Sequence, residues 1–264
     1  MSAGEPDEKE GGDEKLQEAP LLSHLKEFRD RLLRIVVVVL GAFLLLYPFR
    51  DTLYRWISGP LQEVLPEGTS MIAIKVASPF LIPMKLALVA AIFITIPYIL
   101  YQLWAFVAPG LYRHERRMIW PLLISSTGLF YLGAAFAYFV VFPIAFRFFA
   151  LVSPEGVQMM TDIGEYLSFV LTLFFAFGAA FQVPIATILL VRSGISTRAS
   201  LAAKRPYVIV GAFVVGMMLT PPDVLSQVLL AVPVWLLYEI GILLAGRTQP
   251  AEAASPDGGG GDHG

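Results

Sequence analysis

Apolar residues gather into six long runs separated by short polar gaps: Leu32 to Tyr47, Leu86 to Val107, Met118 to Phe142, Tyr166 to Val191, Tyr207 to Thr220 and Val224 to Ala245. Several reach the roughly 20 residues that cross a ~30 Å hydrocarbon core. The pattern predicts an all-α integral membrane protein with six transmembrane helices. Before the second run, Thr52, Leu53, Trp56, Ile57 and Leu61 recur at near-helical spacing. That stretch predicts a short amphipathic helix at the membrane surface, ending near Pro60 or Pro66. Between Pro143 and Glu165 the turn signal Ser153-Pro154-Glu155-Gly156 predicts a second loop on the same side.

The fifth run is bracketed by Lys204-Arg205-Pro206 and Pro221-Pro222-Asp223, which leaves fourteen residues. At about 1.5 Å per residue such a helix covers ~21 Å, short of a ~30 Å core. The sixth run meets Glu239 after fifteen residues. Short fifth and sixth helices are therefore expected, forming a hairpin beside which the bilayer thins; snorkelling of Lys204, Arg205 and Glu239 is the competing expectation.

Charge orders these runs across the membrane. One set of gaps holds Lys9, Lys15, Lys26, Arg29, Arg31, Arg34, Arg113, Arg116, Arg117, Arg192, Arg198, Lys204, Arg205 and Arg247; the alternate set holds Arg50, Arg55, Lys75, Lys85 and Arg147. Fourteen cations against five place both termini in the cytoplasm by the positive-inside rule. Residues 1–20 and 248–264, rich in Gly, Glu, Asp and Pro, read as disordered tails around a membrane domain of residues 21–247. A hydrophobic fraction of 56% leaves no room for a large soluble domain, and the charge pattern does not suggest nucleic-acid binding. Without a basic segment ahead of a short apolar run, no cleavable signal peptide is expected.

Chemistry-bearing motifs are scarce. There is no cysteine, the three histidines His24, His114 and His263 are scattered, and no HExxH, GxSxG or phosphate-binding glycine loop occurs. Catalysis, a metal site and a cofactor are unsupported. Two carboxylates in basic surroundings stand out instead: Glu27, just before the first span, and Glu115, just after the second. A carboxylate accepts two parallel hydrogen bonds from an arginine fork, a geometry that lysine does not reproduce. Two such carboxylates would read two arginines of a peptide arriving along the membrane. The competing reading pairs Glu27 with Arg31 at i,i+4 and Glu115 with a neighbouring arginine, merely balancing surface charge.

Several strings resemble the TatC family, the multi-spanning receptor subunit of the bacterial twin-arginine protein translocase. They are His24-Leu-x-Glu-x-Arg-x-Arg-Leu32, Val76-Ala-Ser-Pro-Phe80, Tyr101-Gln-x-Trp-Ala-Phe-Val-Ala-Pro109, Leu111-Tyr-x-His-Glu-Arg-Arg117, Phe136-Ala-Tyr-Phe-Val-Val-Phe-Pro143 and Lys204-Arg-Pro-Tyr-Val-x-Val-Gly-Ala-Phe-Val-Val-Gly216. The likeness runs from about Leu22 to Gly246 and covers all six spans. It implies a concave bundle of tilted helices that binds twin-arginine signal peptides of folded proteins and organises their proton-motive-force-dependent export across the bacterial inner membrane.

The resemblance also implies roles. Glu27 and Glu115 would form the signal-binding site, with Phe106 in the same region and Arg29 in support. Met217, Thr220 and Gln227 match a polar patch where single-helix subunits of the TatA and TatB type pack, in an oligomeric complex with other copies. The outside segment around Pro60 would cap the concave face. Asp223 follows the double proline as in the family, or simply caps the last span. Position 182 departs from the pattern: Gln182 stands where some members carry Glu, so a role that needs an acid there is in doubt. Its amide can perturb lipid packing or join two helices. A different class, a small-solute transporter or channel lined by Gln182, Thr220 and Gln227, remains the alternative, as does a purely structural scaffold; the former usually shows midplane ionisable groups and matched broken helices.

Overall fold

The computed structural model describes residues 10–62, 72–111, 119–152, 162–219 and 224–246. These form ten α-helices: α1 (Glu10–Leu46), α2 (Arg50–Gln62), α3 (Ser78–Leu111), α4 (Ile119–Phe136), α5 (Phe142–Val152), α6 (Ile163–Ala180), α7 (Val183–Arg192), α8 (Arg198–Ala203), α9 (Arg205–Leu219) and α10 (Val224–Gly246). Five segments are long and apolar enough to cross a membrane: Ser23–Trp56, Ser78–Val107, Trp120–Phe149, Ile163–Arg192 and Gln227–Ala245. The shorter apolar helix α9 makes the sixth. This is the multi-pass all-helical architecture that the apolar runs predict.

The first four spans are longer than their apolar runs, because flanking residues continue the helix. α1 starts at Glu10, inside the stretch that composition assigns to the N-terminal tail. Leu16, Gln17, Glu18 and Ala19 in that stretch are good helix formers. Residues 1–9 and 247–264 lie outside the described residues. The expected surface helix is α2, reached from α1 through a 3₁₀ turn at Tyr47–Phe49. It runs past Pro60 to Gln62.

Two prolines shape the middle spans without ending them. Ahead of Pro143, which cannot donate to the carbonyl four residues back, the helix widens into a π turn over Ala137–Val141 and resumes as α5. The loop expected from Pro143 is thus helical to Val152, and the turn signal at 153–156 lies outside the described residues. Pro184 similarly interrupts the fourth span, where Phe181 and Gln182 form a turn between α6 and α7. α7 is followed by Gly194, whose φ of 74° is a left-handed conformation that glycine adopts without a Cβ clash. The Ser196 amide then donates to the Leu190 carbonyl.

The chain divides into two compact units, residues 1–127 with 150–171, and residues 128–149 with 172–264. In the first, α3 packs on α1 and α2. The Trp104 indole donates to the Ser126 hydroxyl at 3.0 Å, both buried. The segment before α3 is tied to the head of α6: Ile163 N donates to the Ile72 carbonyl, and Asp162 accepts from Ile74 N. Much of α1 stays uncovered; no residue of its most apolar window, of mean hydropathy 2.4, is buried. Such a surface is stable in hydrocarbon or against another apolar helix.

In the second unit α10 packs on α7, α8 and α9. Small residues allow close approach: a Cβ on Gly133 would lie 2.5 Å from the Phe177 carbonyl oxygen, and one on Gly241 would collide with Thr187. Tyr238, Ile242 and Ala245 of α10 pack with Val191 and Leu201, and the Tyr238 hydroxyl donates to the Leu201 carbonyl at 2.8 Å. The short fifth helix is borne out, since α9 has 15 residues. The sixth is not short: α10 continues through Glu239 for 23 residues, ~34 Å at about 1.5 Å each. Glu239 does not end it because Arg205 neutralises the carboxylate.

Candidate functional site

α1 and α3 run antiparallel where they meet, so positions 24, 28 and 31 face positions 106 and 102 in reverse order. One turn of α1 brings Glu27 and Arg31 onto one face, and α3 does the same for Tyr98, Gln102 and Phe106. A polar chain results. Arg31 donates to Glu27 Oε1 through Nε at 2.9 Å and Nη2 at 2.6 Å, and its Nη1 donates to Gln102 Oε1 at 3.1 Å. Gln102 Nε2 donates in turn to the Tyr98 hydroxyl at 2.8 Å. Next to it His24 stacks on Phe106 at 4.3 Å with rings 22° apart, and Phe28 leans on the same ring.

Geometry decides what this chain of bonds can do. Gln102 is buried and holds Arg31 from the α3 side, while the Arg31 side chain is 21% exposed and that of Glu27 41%. A pair this exposed contributes at most about 1 kcal/mol through charge, so its main effect is to fix orientation. Both Arg31 donors converge on Oε1, and Glu27 Oε2 accepts no bond among the described residues. Glu27 Oε2 is therefore an oriented carboxylate oxygen with room to accept from a further donor.

The predicted residues divide accordingly. Glu27 and Phe106 sit on the same α1–α3 contact, and Glu27 makes the i,i+4 pair that charge balance also predicts. Arg29 turns instead to its neighbour Asp30, at 3.0 and 2.8 Å, both exposed. Glu115, Thr220 and Asp223 lie outside the described residues. Pro60 lies within α2. Met217 is exposed on α9, while Gln227 of α10 is half-buried where Gly216 comes close: a Cβ there would lie 3.6 Å from Gln227 Cα. Gln182 reaches the Gly178 carbonyl at 3.5 Å, a carbonyl whose usual backbone donor, Gln182 N, has moved to Ala179. The amide thus patches the α6–α7 break.

Gln102, Tyr98 and His24 carry contacts that the charge pattern does not single out. Gln102 is the one amide in the run Leu86 to Val107, and a buried amide needs partners. That signal was available, but the partner on α1 was not.

Residues 23–233 match the family Sec-independent protein translocase protein (TatC). The chain is 60% identical over 243 residues to the Sec-independent protein translocase protein TatC of Azotobacter chroococcum, covering 92% of this chain and 95% of that one. It is 56% identical to the protein of the same name from Escherichia coli K12, over 86% and 88% of the two chains. A solved structure described as twin arginine translocase receptor TatC superposes with a TM-score of 0.77 at 39% identity, covering 85% of this chain and 98% of that one. With a family match over residues 23–233 and relatives aligned over most of both chains, this chain belongs to the TatC family.

Proposed function

We propose that this protein is the receptor subunit of a twin-arginine translocase, binding the signal peptides of folded precursors and organising their export across the bacterial cytoplasmic membrane. The observation that carries the reading is the Glu27 carboxylate, oriented through Arg31 by Gln102 and with Oε2 left to accept. A signal arginine would bind that oxygen, and Glu115 would take the second arginine. Phe106, braced by His24 and Phe28, would meet the peptide's apolar residues as they enter the bilayer. The cationic gaps would face the cytoplasm, with both termini there.

Function on this reading is binding and assembly, with no bond made or broken. Single-helix subunits of the TatA and TatB type would pack along α9 and α10 near Met217, Thr220 and Gln227, in a complex of several copies. Work for translocation would come from the proton-motive force, ~2.3 kcal/mol per charge per 100 mV. The test is binding of labelled Arg-Arg and Lys-Lys signal peptides to the purified protein and to Glu27→Ala and Glu115→Ala. A preference for Arg-Arg that collapses in both variants supports the receptor. Equal binding of both peptides by the parent overturns it.

A further inference from the structure

A cleft of about 440 Å³ opens where α8, the start of α9 and α10 meet, lined by Thr197, Arg198, Ala199, Ala202, Arg205 and Ile242. Its wall is apolar and its rim cationic. Arg205 is held in place side-on: Nε donates to Glu239 Oε1 at 2.6 Å and Nη2 to Oε2 at 2.8 Å. That arrangement uses one edge of the guanidinium and leaves Nη1 and the outer Nη2 hydrogen for a second anion. Arg198 is exposed and has no hydrogen-bond or ion-pair partner among the described residues. Thr197 Oγ1 accepts from Ser200 N, which leaves its own hydrogen to donate. With Glu239 cancelling one arginine, the rim keeps a net positive charge, reinforced by the exposed Lys204 next to it.

We infer that this cleft binds a phosphate group, carried by an anionic glycerophospholipid. Arg198, Arg205 and Thr197 supply convergent donors to phosphate oxygens, and the planar forks suit that geometry. Sequence sets the depth: these residues lie between the apolar helices α7 and α9, hence at a membrane surface, where basic pockets between helices take lipid headgroups. Beneath the cationic rim, Ala199, Ala202 and Ile242 give the cleft an apolar wall on which the glycerol end of the acyl chains can lie. A free phosphate would use the rim and none of this apolar surface. The site shares no residue with the α1–α3 contact, so it stands or falls independently of signal binding.

The test uses the full chain, purified in neutral detergent and stripped of lipid, and counts bound molecules by native mass spectrometry. Short-chain phosphatidylglycerol, short-chain phosphatidylcholine and inorganic phosphate are titrated in separate arms. One phosphatidylglycerol per protein is expected, weakened at least tenfold by Arg198→Gln and less by Arg198→Lys, which keeps the charge and loses the planar fork. Signal-peptide binding, measured on the same samples, should stay at the parent level and shows that Arg198→Gln is folded. Phosphatidylcholine binding as tightly as phosphatidylglycerol overturns the inference, as does phosphatidylglycerol binding unchanged in Arg198→Gln. Inorganic phosphate binding with equal affinity overturns the lipid as the ligand.

Discussion

Arg205, at the start of α9, holds both carboxylate oxygens of Glu239 on α10, at 2.6 and 2.8 Å. The pair closes the α9–α10 hairpin and lets an acidic residue sit within an otherwise apolar helix. Removing Arg205 leaves Glu239, only 22% exposed, without its counter-ion. Arg205→Gln should lower the unfolding midpoint in detergent by about 2 °C or more, and Arg205→Gln with Glu239→Gln should recover most of the loss. A double variant as unstable as the sum of its parts would mean that the two side chains do not act as a pair.

Glu27 sets the second prediction. On the proposed reading, a signal arginine would gain only part of the energy of a desolvated pair there, because the Glu27 side chain is 41% exposed. Glu27→Gln should weaken an Arg-Arg signal peptide by about tenfold, roughly 1.4 kcal/mol, and should weaken a Lys-Lys peptide less. Fluorescence anisotropy of the labelled peptides on the purified protein measures both. Equal losses for the two peptides would reduce Glu27 to a general negative charge.

Gln102 tests whether orientation matters apart from charge. It is buried and bonds Arg31 from α3, so Gln102→Leu keeps the volume while releasing the Arg31 fork. A hydrogen bond to a charged group is worth about 1.5–3 kcal/mol in a buried setting, and partial exposure of Arg31 lowers that. Signal affinity should fall about fivefold while Arg-Arg selectivity persists, since Glu27 remains. Unchanged affinity in the same anisotropy assay would show that Arg31 holds Glu27 without help from α3.

Residues near in sequence announced themselves, and residues that meet across helices did not. Six apolar runs gave six membrane segments because desolvation of backbone forces each run to close its own hydrogen bonds as a helix. The Glu27–Arg31 pair follows from i,i+4 spacing alone. Gln102 with Arg31, 71 positions apart, and Arg205 with Glu239, 34 apart, depend on helix packing that periodicity does not encode. The same gap explains the sixth helix. Read locally, Glu239 ends an apolar run; paired with Arg205, it is an interior residue of α10.

Glycines separate close packing from mere helix flexibility. A Cβ on Gly133 would come within 2.5 Å of the Phe177 carbonyl oxygen and 2.9 Å of its carbon, both backbone atoms that cannot rotate away. Gly128, on the same helix, has nothing within 4 Å of its would-be Cβ. Gly133→Ala should cost about 1–3 kcal/mol as α4 and α6 are pushed apart. Gly128→Ala should be neutral or slightly stabilising, because alanine favours helix. Thermal unfolding of the two variants side by side decides it, and similar midpoints would deny a tight contact at Gly133.

Unequal helices in one hairpin set the last prediction. α9 spans 15 residues, ~22 Å at about 1.5 Å each, whereas α10 spans 23. A full ~30 Å core would leave polar residues at the ends of α9 in hydrocarbon, or require the bilayer to thin beside it. Arg205 at the head of α9 is fixed by Glu239, so it has less freedom to snorkel than an unpaired arginine. Mismatch costs only fractions of a kcal/mol per Å, but here it is concentrated on one helix. Reconstituted in phosphatidylcholine bilayers of rising acyl length, the protein should lose thermal stability as the core thickens. Inserting four residues of Leu-Ala-Leu-Val after Val210, about one turn, should shift the optimum toward thicker bilayers. An optimum unmoved by that insertion would mean that α9 does not set the local thickness, and that the long spans around it do.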